Sequence, residues 1–148
     1  LDMLQAMNTG HDGSLTTIHA NTPGDAIMRL ETMVAMSGFE IPPATIRAQI
    51  GSAIDVILQV RRFPDGRRSV TSMREVTGVD QNHVESEEIF TMVPEGELGD
   101  GSPRLVIAPT GHRPQFLDRL RGYGIELPDS LFEPKALVPA GSAPETPR

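Results

Sequence analysis

The chain contains no cysteine and one lysine, Lys135, against twelve arginines. Without cysteine there is neither a disulfide framework nor a thiolate zinc site, and the composition fits a reducing compartment. No apolar run approaches the ~18 residues of a membrane-spanning helix. No signal-peptide pattern opens the chain. Positive charge is short as well. The net charge is −7 and the pI about 5.0, which argues against a general nucleic-acid surface. What is present, 148 residues of which 38% are hydrophobic, suffices for one domain with a core. The opening residues already follow helical spacing (Leu1, Leu4, then Met7 or Asn8) with no capping residue before them. The chain is therefore expected to be a piece of a longer protein.

The stretch richest in chemistry is Asn8-Thr-Gly-His11-Asp-Gly-Ser-Leu-Thr-Thr-Ile-His19-Ala-Asn21. It begins as a polar, glycine-bearing turn and ends in a β-branched run, which predicts a buried strand over residues 14–19. Side chains alternate along a strand. Leu15, Thr17 and His19 would share one face, with His19 at the C-terminal end, where open α/β sheets bind ligands. The plainer reading of a lone histidine there is a hydrogen-bonded structural residue. Zinc fits poorly, because His11 and His19 match none of the short ligand spacings. Asp12 or Asp25 would have to complete such a site.

The rest divides at its turn residues. Residues 1–8 read as a helix closed by Thr9-Gly10. Thr22 is a helix cap with Pro23 at the first helical position. Ala26, Ile27, Leu30, Met33 and Val34 trace the face of that helix, which Gly38 ends, and its methionines suit a core or a subunit contact. Pro42-Pro43 opens a second helix with Ile46 and Ile50 inward. Residues 55–60, almost all apolar, predict a central strand. Phe63-Pro-Asp-Gly66 is a turn, residues 67–77 a strand, Asp80-Gln-Asn82 a turn and residues 83–93 a third strand. Residues 94–103, rich in glycine and acid, read as an open loop. Leu105 to Ala108 reads as a short strand, and Pro114 opens a last helix bearing Phe116, Leu117, Leu120 and Tyr123 and closed by Gly124. The division is residues 1–93, an extension over 94–133, and a proline-rich tail over 134–148 expected to lack order.

The histidine-bearing stretch resembles the His-box of the type II/IV secretion ATPase family, and within it the CpaF-type branch that assembles Flp or tight-adherence pili. The likeness continues through Asp25-Ala-Ile-Met-Arg-Leu-Glu-Thr-Met33, Ile46-Arg-Ala-Gln-Ile-Gly-Ser-Ala-Ile-Asp55 and Arg74-Glu-Val-Thr-Gly78, and spans roughly residues 1–93. It implies an α/β fold, the C-terminal part of a RecA-like P-loop ATPase core with an antiparallel hairpin extension. It also implies a cytoplasmic homohexamer, peripheral to the inner membrane. That hexamer would use ATP and Mg2+ to drive pilin assembly or export through a membrane platform protein.

His11 and His19 match the His-box histidines, placed to donate to or sense the γ-phosphate. Thr16 and Thr17 would orient them. Arg61 and Arg62, at the end of the strand over residues 55–60, are candidates for a phosphate or subunit contact, against the plainer reading of a solvated hairpin base. The phosphate loop G-x-x-x-x-G-K-[ST] has no counterpart, since the chain holds no Gly-Lys dipeptide. By resemblance the Walker B acid would precede Leu1. The chain alone is thus expected to be inactive. Two alternatives stay open: an ATPase of conjugation or effector transfer in the same fold, and a non-catalytic α/β interaction module. A metal-dependent hydrolase using the two histidines lacks carboxylates at useful spacing.

Overall fold

A computed structural model describes residues 2–9, 13–80 and 82–134. Three helices precede a four-stranded sheet: α1 (Asp2–Asn8), α2 (Pro23–Ala35) and α3 (Pro43–Ala53), then β1 (Val56–Arg62), β2 (Arg68–Val79), β3 (Val84–Glu97) and β4 (Pro103–Pro109). A short helix α4 (Leu117–Gly122) and a 3-10 turn (Asp129–Leu131) follow. The sheet runs in the order β1-β2-β3-β4 with every pair antiparallel. The mixed helix-and-sheet class holds. Among the described residues the sheet consists entirely of the antiparallel part of the expectation.

The helices start where local chemistry dictates. Thr22 is extended and its Oγ1 accepts the Asp25 N–H at 3.1 Å, with proline directly after it. Such a cap satisfies an amide that the helix leaves orphaned. Thr22→Ala is expected to cost about 1 kcal/mol of stability, read as a lower urea midpoint with an unchanged slope; an unchanged midpoint would mean that the hydroxyl contributes nothing. At the other end, Asn8 clips α1 to α3. Its Nδ2 donates to the Gln49 carbonyl at 3.2 Å and its Oδ1 accepts from Ser52 Oγ at 2.8 Å. Arg47 on α3 reaches Glu31 on α2 at 3.1 Å.

Two apolar clusters form, one on each face of the sheet. Leu4, Ile27, Val34, Ile46, Ile50 and Val84 are buried together, with Ile57 and Val76 packed against them. This is where α1, α2 and α3 cover the sheet. Each such side chain contributes about 1.5–3 kcal/mol when fully buried. The second cluster is smaller: Ile89, Leu117 and Phe132, joined by Met73, Phe90, Phe116 and Leu120. Directly opposed residues share a face. The register Ile57↔Arg74 and Leu58↔Met73 therefore puts the two clusters on opposite faces.

Four expectations fail in whole or in part. Residues 14–20 enter no strand ladder; Leu15 is 98% exposed, and Thr16, Thr17 and His19 are exposed too. A strand exists only where a neighbour pairs its amides. Here the four later strands pair sequentially through short hairpins, the cheapest loops to close, and this segment joins neither open edge among the described residues. β1 is an edge strand, not a central one, and its Leu58 and Val60 are 57% and 52% exposed.

The open loop over residues 94–103 is instead a hairpin. β3 continues to Glu97, Pro94 pairs with Leu105, and residues 98–102 make the turn. Proline lacks the N–H of a central strand, but the pairing of β3 with β2 stops at Thr91. Pro94 therefore sits where β3 has a neighbour on one side only. The core half of the methionine expectation also fails: Met28 and Met33 on α2 and Met36 at its C-cap are 62%, 58% and 80% exposed, which leaves the subunit contact untested. The tail beyond Pro134 lies outside the described residues.

Candidate functional site

His19 and Thr17 sit on the segment just before α2. The segment's described tie to the sheet is at Ala20, whose carbonyl accepts Gln59 Nε2 from β1 at 3.3 Å. The structure thus lays the end of this segment beside the middle of β1, two residues before Arg61. His11 lies outside the described residues. Thr16, Thr17 and His19 project into solvent rather than into a cleft. Their expected alternation on a buried strand is therefore absent among the described residues.

Arg61 and Arg62 are exposed at the end of β1, at the base of the turn Phe63-Pro-Asp-Gly66. Gly66 closes that turn with φ 87° and an N–H to the Phe63 carbonyl at 2.9 Å, a conformation that favours glycine. The Arg61 guanidinium stands 5.8 Å from the centroid of the Phe63 ring, within cation–π range. Arg67 is occupied by Asp65. Asp65 Oδ1 accepts its N–H at 2.9 Å and Oδ2 accepts its Nε at 2.6 Å. These bonds, the backbone one first, hold the Asp65 carboxyl below its ordinary range. A lowered carboxylate stabilises the turn above its unfolded value, and that stability is lost as the pH falls through the folded one. Arg62 and Arg68 face each other across the hairpin.

Two features escaped sequence reasoning. Glu75 on β2 is only 3% exposed. Its Oε1 accepts the Phe116 N–H at 3.0 Å and its Oε2 lies 2.8 Å from His112 Nε2. His112 in turn is held by Thr110, whose Oγ1 accepts the His112 N–H at 3.3 Å and donates to the carbonyls of Glu88 and Ile89. A buried carboxylate survives only when paired and hydrogen-bonded. Glu75 is thus the polar anchor that docks residues 110–122 on the sheet, aided by the Arg119–Asp55 pair at 2.8 Å. Its partners are 37 and 41 residues away in the chain, beyond any local pattern.

The second feature is the exposed trio Asp80, His83 and Glu85, whose ligating atoms lie within 4.8 Å of one another. Asp80 Oδ1 already accepts the N–H groups of His83 and Asn82, both at 2.6 Å. Those bonds, His83's first, keep its carboxyl below the ordinary range. The asparagine–aspartate turn signal at residues 80–82 was legible; the side chains that gather on it were not.

Comparison with known proteins places this arrangement. The family described as type II/IV secretion system protein matches residues 1–92. Among curated relatives, a putative conjugal transfer protein of Mycobacterium tuberculosis is 38% identical over 73 residues, which is 49% of this chain and 20% of the relative. Conjugal transfer protein TrbB of Rhizobium radiobacter is 38% identical over 87 residues, 59% of this chain and 25% of that protein. Type IV secretion system protein VirB11 of Bartonella henselae is 35% identical over 72 residues, 47% of this chain and 20% of that protein. The chain spans about a fifth to a quarter of the length of these relatives. No helix among the described residues is long and apolar enough to cross a membrane. With residues 1–92 matched out of 148, the chain belongs to the type II/IV secretion system protein family.

Proposed function

We propose that this chain is the C-terminal part of a secretion ATPase whose hydrolysis of ATP drives pilin assembly or protein export at the inner membrane. One observation carries the reading: the family match covers the histidine-bearing segment and both helices behind it, and residues 14–20 of that segment enter no strand ladder among the described residues. Leu15, fully exposed in a run of β-forming residues, is an energetically poor surface unless further strands pair with it. In the parent protein those strands would be the rest of a RecA-like core, and the free edge of β1 would join the same sheet. His19, and His11 before it, would then stand at the nucleotide, with Thr16 and Thr17 beside them. Arg61 and Arg62 would stand at the same end of the sheet.

The described residues do not form an ATP pocket by themselves. The chain has no phosphate loop, and Thr17 and His19 converge on no set of amide donors. ATP and Mg2+ belong to the parent protein, a homohexamer in this reading, seated in the cytoplasm against an inner-membrane platform protein. The resemblance of Asn8 through Asn21 favours the pilus-assembly branch. The names of the relatives, conjugal transfer and type IV secretion, favour the conjugation branch. Deleting the parent gene separates the two: surface pili disappear in the first case and transfer between cells in the second.

The purified chain with Mg-ATP is expected to release phosphate no faster than a heat-inactivated control, whereas the parent protein turns over at the ordinary enzyme scale of about 1–10³ per second or below. A parent protein without turnover would leave the interaction-module reading standing. Turnover by the isolated chain would show that it holds a complete site.

A further inference from the structure

The tip of the β1–β2 hairpin concentrates four arginines in a chain that is otherwise acidic: Arg61, Arg62, Arg67 and Arg68. They are not equivalent. Arg67 is taken by Asp65, and Arg61 lies against the Phe63 ring. Arg62 and Arg68 remain. They are direct cross-strand partners, both are exposed, and neither has an acidic partner within ion-pair distance among the described residues.

The geometry makes this pairing costly. The Phe63 N–H donates to the Arg67 carbonyl at 2.8 Å, which makes Arg62↔Arg68 a non-hydrogen-bonded pair. In that register the opposed Cα atoms lie closest, about 4.5 Å apart. Like charges directly opposite each other destabilise a strand pair. A hairpin that needed only solubility would place its charges diagonally or alternate their sign. Two planar, permanently charged forks side by side suit an oxyanion that accepts from both.

We infer that Arg62 and Arg68 form a clamp for a phosphate group, while Arg61, one residue earlier on β1 and so on the opposite face, lies against Phe63 and outside that site. The tetrahedral oxyanion bridges the two guanidiniums and replaces their repulsion with two charge-assisted contacts. Two sources carry that chemistry, the phosphates of a nucleotide and the headgroup of an acidic lipid. The nucleotide source rests on the ATPase reading above; the clamp itself does not, because it is tested on this chain by binding alone.

The test titrates the full chain with inorganic pyrophosphate at constant ionic strength, following the arginine Nε–H resonances and the melting temperature. Arg62→Gln and Arg68→Gln are compared with Arg104→Gln, an exposed arginine on β4. Pyrophosphate is expected to raise the melting temperature above that in matched chloride and to shift the Arg62 and Arg68 resonances. Each hairpin variant is expected to bind about tenfold more weakly, and the β4 variant normally. Without ligand both hairpin variants should melt at or above the wild-type temperature, because the repulsion is relieved, so misfolding does not confound the result.

Magnesium-free ATP and vesicles of phosphatidylglycerol or phosphatidylcholine then identify the source. ATP binding lost in the variants assigns the clamp to nucleotide, and binding to phosphatidylglycerol alone assigns it to a headgroup. A pyrophosphate effect no larger than that of chloride, or one unchanged in both variants, overturns the clamp whatever the parent's ATPase activity.

Discussion

His19→Ala in the intact parent protein is expected to lower ATP turnover by roughly 10²–10³-fold, the loss that follows removal of one preorganised donor from a transition state. The melting temperature should hardly move. In this chain His19 is exposed and its segment is tied to the sheet through the neighbouring Ala20 carbonyl, so its ring has little packing to lose. Nucleotide affinity should change far less than the rate, because a phosphate loop elsewhere in the parent would supply most binding contacts. Steady-state rate, nucleotide affinity and melting temperature measured together decide the matter. A large fall in melting temperature with an unchanged rate per folded molecule would assign His19 to the core that the completed sheet creates.

Glu75→Ala is expected to have the largest effect on stability. It removes the shared acceptor of the Phe116 N–H and the His112 ring and leaves both half-buried groups without that partner. Leaving a donor without its acceptor costs about 1–3 kcal/mol. The loss should be uneven. Residues 110–122 are held by Glu75, by the small Ile89–Leu117–Phe132 cluster and by the exposed Arg119–Asp55 pair, whereas α1, α2 and α3 rest on the separate cluster around Ile50. Hydrogen exchange at α4 should therefore accelerate far more than at α3. Glu75→Gln keeps an acceptor for Phe116 but offers His112 an amide donor, so it should fall between the two. Equal acceleration throughout the chain, or a cost under about 1 kcal/mol for the alanine variant, would mean that the carboxylate docks nothing.

What was legible in the residues is what local chemistry decides. Thr22-Pro23 announces α2, and Pro42-Pro43 with Ile46 and Ile50 announces α3 and its inward face. Phe63-Pro-Asp-Gly66 and Asp80-Gln-Asn82 mark two hairpin turns, so three strands followed almost in full. The illegible part depends on neighbours. Whether residues 14–20 or β1 are buried is decided by which strands are available beside them, not by their own apolar content. Pro94 reads as a loop residue until it is known that the pairing of β3 with β2 has already stopped at Thr91. Glu75 looks like any strand glutamate until His112 and Phe116 arrive from the far end of the chain. The candidate site shares this limit, since Arg62 and Arg68 become a pair only through the hairpin register.

The two borders of the sheet also differ in how they treat a newcomer. The Thr110 N–H points at the Ile89 carbonyl, so by alternation the amide positions of residues 103, 105, 107 and 109 on β4 face away from β3. The first and last of these are proline and have no hydrogen to offer. That border presents two donors between two blank positions, too short a template for a stranger's strand to zip onto. β1 carries no proline at all. The sheet is thereby open to growth at β1, and the chain is protected from stacking border to border into fibres through the other border.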